Sequence, residues 1–404
     1  MVSTCSERVL STVSSFPARW IFRAQGLRCV YEEGSKSVWL GAAHCEHVLS
    51  AGKRAPNRSC RICSGRPEDG IGTWSEHSVA NPFLRNLSNG LPLNTWRDSS
   101  ACASGSRGQR FIRQSGCCIV DPALVWAELS LKELTPVHSV GDSVMHQNSI
   151  AFNSIPRKGK GRKTSATFHW ATFHRIECIP RTLSGWRSFR NIFEGMPRRG
   201  IVFMNFGLWY NVPRSVNNLN GSYDSALNAT YSRSEMVRDA QAETAYCHAH
   251  GIVDGGGRQV CDWRRKTGRD TPAHYRYDMQ MLVAFMRKER ASFPRYVFWI
   301  DPTPQHYEHC TFTSTKSKQC YPSTDRNICK WRSRISIQAW SIHPDIGTYL
   351  HVSEPLLKTP FSHWNHPLTG AADCTHWCMA STAFNEHIAW ILTAALSRIQ
   401  GMSF

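Results

Sequence analysis

The pattern of apolar and polar positions changes character near residue 135. Before it, hydrophobic runs are short, turn formers are frequent, and neither a helical nor a strand period persists. After it, distinct elements follow one another. Residues 134–140 (LTPVHSV) are short and mostly apolar, and they run into Gly141-Asp142-Ser143, the pattern of a strand, a glycine turn and a helix start. Residues 166–179 alternate partly, with aromatic and β-branched side chains, and predict a strand or two. The IVFM run at 201–204 is continuously apolar, as a strand buried on both faces of a parallel sheet must be, and it breaks at Asn205-Phe206-Gly207. The YVFWI run at 296–300 is a similar strand ending in Asp301-Pro302, and GTYLHV at 347–352 is a weaker one.

Helical spacing fills the intervals. Tyr223, Leu227 and Tyr231 recur every four residues, predicting a helix from 222 to about 246. Thr271-Pro272 makes a good N-cap and first-turn pair, after which Tyr275, Met279, Leu282 and Met286 form one apolar stripe, read as core packing, until Pro294 ends the element. A last helix begins at about Phe384, with Phe384, Ile388, Ile391, Leu392 and Ala395 on one face. Strands alternating with helices predict an α/β sandwich around a mainly parallel sheet. In such folds functional loops gather at the carboxyl ends of strands, where Gly141-Asp142-Ser143, Asn205-Phe206-Gly207 and Asp301-Pro302 would all fall. The expected organisation is an irregular, Cys-rich N-terminal segment over 1–134 and an α/β domain over 135–404.

Composition narrows the setting. The 404 residues, 41% hydrophobic, with 15 Trp and 18 Phe, can bury a substantial core. Sixteen cysteines, eight of them before residue 135, point to an oxidising compartment, and the N-x-S/T sequons at Asn57, Asn86, Asn220 and Asn228 point the same way. The expectation is the secretory pathway, Golgi lumen or extracellular space, although no signal peptide, membrane anchor or transmembrane run is visible. Cys60 and Cys63 have zinc-ribbon spacing with His44 and His47 upstream. The second C-x-x-C is missing, so disulfides or free thiols are expected there and no metal site is assigned. A formal net charge of +18 attracts polyanions in general. The one dense basic run, 157–163 (RKGKGRK), has no interleaved aromatic residue, and no helix-turn-helix, RNP or finger pattern occurs, so nucleic acid is not an expected partner.

The candidate chemistry lies in three pieces. DCTHWC at 373–378 sets Asp373 and His376 three residues apart between Cys374 and Cys378. A serine needs a base within hydrogen-bond reach and a carboxylate that fixes the tautomer of that base. Ser143 can be the nucleophile, His376 the base and Asp373 its partner, while disulfides at the two cysteines would hold the loop rigid. Asn205, at a strand end, is a candidate oxyanion-hole donor beside the Ser143 N–H. A GDS tripeptide alone is a chance event; the three pieces in this order point to acyl transfer.

GDS at 141–143, NFGLW at 205–209 and DCTHWC at 373–378 resemble the SGNH/GDSL hydrolase superfamily. More narrowly, they resemble its PC-esterase group, which includes the trichome-birefringence-like polysaccharide O-acetyltransferases. The stretch TPQHY at 303–307, followed by Cys310 and Cys320, resembles that group's S-P-x-H-F segment. The resemblance implies a three-layer SGNH-like sandwich over about 135–400, a Ser143–His376–Asp373 triad with Asn205 in the oxyanion hole, and His306, Trp209 and Trp377 near the substrate. It implies no bound cofactor, an acetyl or other acyl donor as co-substrate, and a carbohydrate acceptor. The chain departs from the group in having Leu208 where a His is usual, and in lacking an identifiable second oxyanion-hole glycine. O-acetyl transfer to a polysaccharide or glycan is the expectation. Esterase activity by the same triad and a non-catalytic glycan-binding role are the alternatives.

Overall fold

A computed structural model describes residues 27–28, 59–60, 62–76, 109–113, 117, 119, 122–131, 134, 137–155, 169–172, 198–208, 210, 233–251, 272–307, 319–321, 331–359, 362–365, 372–379 and 381–401. In chain order, a hairpin of β1 (Gly72–Glu76) and β2 (Gln109–Arg113) precedes α1 (Pro122–Leu131). There follow β3 (Val137–Gly141), α2 (Ser143–Ser154), β4 (His169–Thr172), β5 (Ile201–Asn205), α3 (Arg233–Ala249), α4 (Pro272–Lys288), β6 (Tyr296–Ile300), α5 (Trp331–Ser341) and β7 (Thr348–Leu350). A second hairpin, β8 (His363–Asn365) with β9 (Ala372–Trp377), leads to α6 (Thr382–Gly401). No helix among the described residues is long and apolar enough to cross a membrane.

The central sheet has the order β4-β3-β5-β6-β7, and every neighbouring pair is parallel. The first strand of the sheet therefore lies inside it, flanked by the second and the third. This is a doubly wound order, with its switch point between β3 and β5. Each central strand is buried along its length and sends alternate side chains to opposite faces. Ile201, Phe203, Phe298 and Ile300 join one core with α1, α2 and α6. Val202, Met204, Val297 and Trp299 join the other with α4 and α5. The Phe203 ring packs, tilted, at 5.4 Å from that of Phe152 of α2 and at 5.7 Å from that of Phe298. Across the sheet, Trp299 stacks at 5.1 Å on Trp340 of α5. The result is a three-layer α/β fold, as the alternation of elements predicts.

Most sequence expectations coincide with elements, and the differences have physical reasons. The α4 stripe of Tyr275, Met279, Leu282 and Met286 is wholly buried core. Helix α6 is buried nearly all round, not on one face: Trp390, Ala394 and Leu396 are as inaccessible as Ile388 and Ile391. The helix expected from 222 starts at Arg233, and Tyr223, Leu227 and Tyr231 lie outside the described residues. Only His169–Thr172 of the stretch at 166–179 is described, and it is the edge strand β4. The basic run at 157–163 lies outside the described residues.

The segment before 135 contains more structure than its pattern suggests. Helix α1 places Val125, Trp126 and Leu129 in the same core as α6, together with Cys63, Cys117 and Ile119. Cys63 is bonded to Cys117, which removes Cys63 from any zinc-ligand set. Backbone of 64–65 is tied to the domain by His351 N–H donating to the Gly65 carbonyl at 2.9 Å and by Arg398 Nε donating to the Ser64 carbonyl at 2.8 Å. Trp74 Nε1 donates to the Pro355 carbonyl at 2.8 Å.

Candidate active site

The site lies at the carboxyl ends of β3 and β5. Gly141 ends β3 opposite Asn205 of β5, and Asp142 N–H donates to the Asn205 carbonyl at 3.2 Å. A Cβ on Gly141 would lie 2.0 Å from that carbonyl oxygen, so only glycine permits the approach. Asp142 caps α2. Its Oδ1 accepts from Val144 N–H at 3.1 Å and Met145 N–H at 3.4 Å. That leaves the N–H of Ser143, at the first helical position, for an acceptor outside the helix. Asp142 Oδ2 accepts from Leu208 N–H at 3.1 Å and so ties the loop after β5 to the start of α2. Complete burial pushes the Asp142 carboxyl up from 3.8 to about 6, against the pull of the three N–H groups and of His376.

Ser143 here meets Asp373 and His376, which lie 230 and 233 residues further along the chain. His376 Nε2 lies 2.8 Å from Ser143 Oγ, and His376 Nδ1 lies 2.7 Å from Asp373 Oδ2. The carboxylate can only accept, so Nδ1 carries the proton and Nε2 presents a lone pair to the serine hydroxyl. Asp373 Oδ1 also accepts the backbone N–H groups of Thr375 and His376, each at 3.1 Å, folding the loop around its own carboxylate. Burial alone would raise the Asp373 carboxyl. The hydrogen bond and charge of His376 and the two N–H groups outweigh it and hold the group below 3.8. His376 and Asp373 keep side-chain exposures of 19% and 26%, and Ser143 is half-buried, so all three reach the surface.

The loop carrying Asp373 and His376 is fastened at several points. Cys374 is bonded to Cys320, and Cys378 is also disulfide-bonded. Gln147 of α2 clamps the backbone of Trp377: its Nε2 donates to the carbonyl, and its Oε1 accepts the N–H at 3.0 Å. Sequence reasoning missed Gln147; its only signal is its place one helical turn after Ser143, on the same face.

The remaining expected site residues divide. Asn205 is buried, and its Nδ2 donates at 3.3 Å to the Asp301 carbonyl. One of its two N–H bonds is thereby used, and the amide is fixed beside the switch point. Trp209 lies outside the described residues. His306 and Trp377, expected near the substrate, are both completely buried. His306 Nδ1 lies 2.7 Å from His363 Nε2, and His306 Nε2 lies 3.0 Å from the Leu357 carbonyl. His363 Nδ1 lies 2.8 Å from the carbonyl of His376 itself, and Trp377 stacks on the His363 ring at 4.1 Å. These residues pack against the loop that carries Asp373 and His376.

The loop after β5 is held from the opposite core. Gly207 has φ +141°, a conformation that favours glycine, and its carbonyl accepts from Arg332 Nε at 2.6 Å. Tyr275 donates its hydroxyl to the Phe206 carbonyl at 2.8 Å. Gln305 Nε2 bridges the Leu208 carbonyl at 3.4 Å and Thr375 Oγ1 at 3.3 Å, joining this loop to the base loop. Among the described residues no cluster of three or more His, Cys, Asp or Glu side chains could hold a metal ion.

A hydroxyl hydrogen-bonded to an imidazole whose far nitrogen is fixed by a carboxylate can be deprotonated as it attacks an electrophilic carbon. No protein-family model, curated protein or solved structure matches this chain.

Proposed function

We propose that the chain is a serine-dependent acyltransferase of SGNH type that moves an acetyl or similar acyl group onto a carbohydrate hydroxyl. The observation that carries this reading is the continuous relay from Asp373 Oδ2 through His376 to Ser143 Oγ, with both contacts under 3 Å. Ser143 Oγ attacks the acyl carbonyl while His376 Nε2 takes the hydroxyl proton, and Asp373 supports the imidazolium. The Ser143 N–H and Asn205 are the candidate donors to the developing oxyanion. Collapse expels the donor alcohol, which leaves with the proton from His376, and an acyl-Ser143 ester remains. An acceptor hydroxyl then gives its proton to His376 and attacks the ester, and Ser143 recovers its proton from His376 as the acylated product departs.

The carbohydrate and the acetyl group rest on the resemblance of DCTHWC, NFGLW and GDS to the PC-esterase group. Disulfides in the chain agree with a luminal or extracellular setting. If water replaces the acceptor in the second step, the same site is an esterase. The test supplies an acetylated donor with glycan acceptors and follows acetyl into sugar or water. It is paired with a fluorophosphonate probe that labels activated serines. We expect labelling at Ser143, loss of labelling and of turnover in Ser143→Ala, and acetyl on the acceptor. An unlabelled Ser143 in folded protein, or full turnover in Ser143→Ala, would refute the triad. Release of all acetyl to water would leave an esterase.

A further inference from the structure

Behind the base loop, the two rings of His306 and His363 engage all four of their nitrogens. The outer two face backbone carbonyls: His306 Nε2 at Leu357 and His363 Nδ1 at His376. A carbonyl oxygen only accepts, so both outer nitrogens carry protons. The inner two, His306 Nδ1 and His363 Nε2, lie 2.7 Å apart. In two neutral rings both inner nitrogens would then be bare lone pairs pointed at each other, which is repulsive at that distance. Three hydrogen bonds need three protons, and two neutral imidazoles bring two.

We propose that His306 and His363 share one proton beyond the single proton each neutral ring carries, and that the charged pair is a positioning unit for His376. The proton sits in the inner N–H···N contact, and its removal must break one of the three bonds. Either His306 turns its proton inward and drops the Leu357 carbonyl, or His363 does so and drops the carbonyl of His376.

The surroundings oppose and support this charge in identifiable ways. Burial disfavours it, lowering the affinity of His306 well below the ordinary 6.5 and that of His363 to about 4. Repulsion between the two rings adds to this at His306, and repulsion from His376 adds to it at His363. The Leu357 segment and the His376 backbone contribute carbonyl dipoles that favour it, as does the Asp373 charge. The Trp377 ring, stacked 29° from parallel on His363, presents a π face to the charge. With both outer carbonyls still engaged, the inner hydrogen bond exists only while the extra proton is present. The pair is therefore a site that holds its proton towards acid pH and releases it as the pH rises. On release it loosens either the backbone of the base residue or the segment behind it.

The positioning role rests on the acyl-transfer reading; the shared proton does not. The test therefore begins with NMR of the full chain labelled with 15N-histidine, titrated from the most acid pH at which the chain stays folded up to about pH 8. Signals are assigned through His306→Asn and His363→Gln. We expect one unprotonated ring nitrogen among the four at the acid end, and two as the pH rises. In His306→Asn the amide at the Nδ1 position can donate to a neutral His363, so the His363 signals should be those of a neutral ring and should not titrate. Two bare inner nitrogens at every pH would overturn the proposal. Kinetics with an acyl ester then test the coupling. His306→Ala should lower kcat by about 10- to 100-fold with KM little changed. His306→Asn should recover part of that loss and lack the wild-type inflection arising from the pair. A shared proton seen by NMR with unchanged kinetics in both variants would overturn the positioning role.

Discussion

Asp373 divides two tasks between its oxygens: Oδ1 closes the loop on two backbone N–H groups, and Oδ2 orients His376. Asp373→Asn should keep most of the loop but set the wrong tautomer on His376, lowering acyl-ester turnover on the order of 10³- to 10⁴-fold. Circular dichroism should be unchanged. Asp373 and Asp142 also respond to pH with opposite sign. The folded-state affinity of Asp373 is depressed, so its contribution to stability is present above the unfolded value and lost as pH falls through the lowered one. Asp142 is raised to about 6, so the folded chain takes up a proton there that the unfolded chain does not. Its contribution falls as pH rises from about 4 to about 6, by about 3 kcal/mol at roughly 1.4 kcal/mol per unit. Urea unfolding across that range should show wild type losing stability relative to Asp142→Asn; parallel curves would contradict the assignment. At this scale the Asp373–His376 pair was legible because both residues and the flanking cysteines lie in one hexapeptide. Gln147 and His363 were not, since their partners lie 230 and 57 residues away and no local pattern encodes such a contact.

Glycine at 141 shows how an element delivers a side chain. The end of β3 can lie against the Asn205 carbonyl only without a Cβ, and the turn into α2 starts one residue later. Gly141→Ala should cost about 3 kcal/mol or more through backbone displacement, read as a lower melting temperature. Residual activity should fall further than the folded fraction does, because Ser143 moves with the strand end. Strands β5 and β6 could be read directly from the chain, as a strand buried on both faces must be apolar at every position. Helix α1 could not. Its apolar residues have no single-face period, because it packs among other helices, and an unpatterned apolar stretch of ten residues reads equally well as loop, strand or helix. Helix α6 was visible as a stripe, yet Trp390 lies off that stripe and is fully buried. Trp390→Ala should cost about 3–5 kcal/mol in a denaturant melt.

Across the molecule, covalent links join distant parts of the chain. Cys320–Cys374 closes a span of 54 residues, worth up to about 4 kcal/mol in chain entropy, and one of its ends is the residue after Asp373. Paired substitution Cys320→Ser with Cys374→Ser should therefore diminish turnover at temperatures where circular dichroism still reports a folded sheet. Equal losses in both signals would mean that the link serves the fold alone. The three layers and the parallel sheet were foreseeable from alternating elements. The entry of Cys63, Cys117 and α1 into the same core was not, because short apolar segments separated by turn formers show no pattern until tertiary contacts assemble them.

Helix α2 carries Ser143 at its first position and Gln147 one turn later, and Gln147 grips the backbone next to His376. The proposed nucleophile and base are thus referred to one helix, although they lie 233 residues apart in the chain. A displacement of α2 is passed to the loop of His376 through the two Gln147 hydrogen bonds, so serine and imidazole share one mechanical reference. The 2.8 Å separation of Ser143 Oγ and His376 Nε2 is in this sense a common-mode quantity, set against α2 by way of the Gln147 clamp.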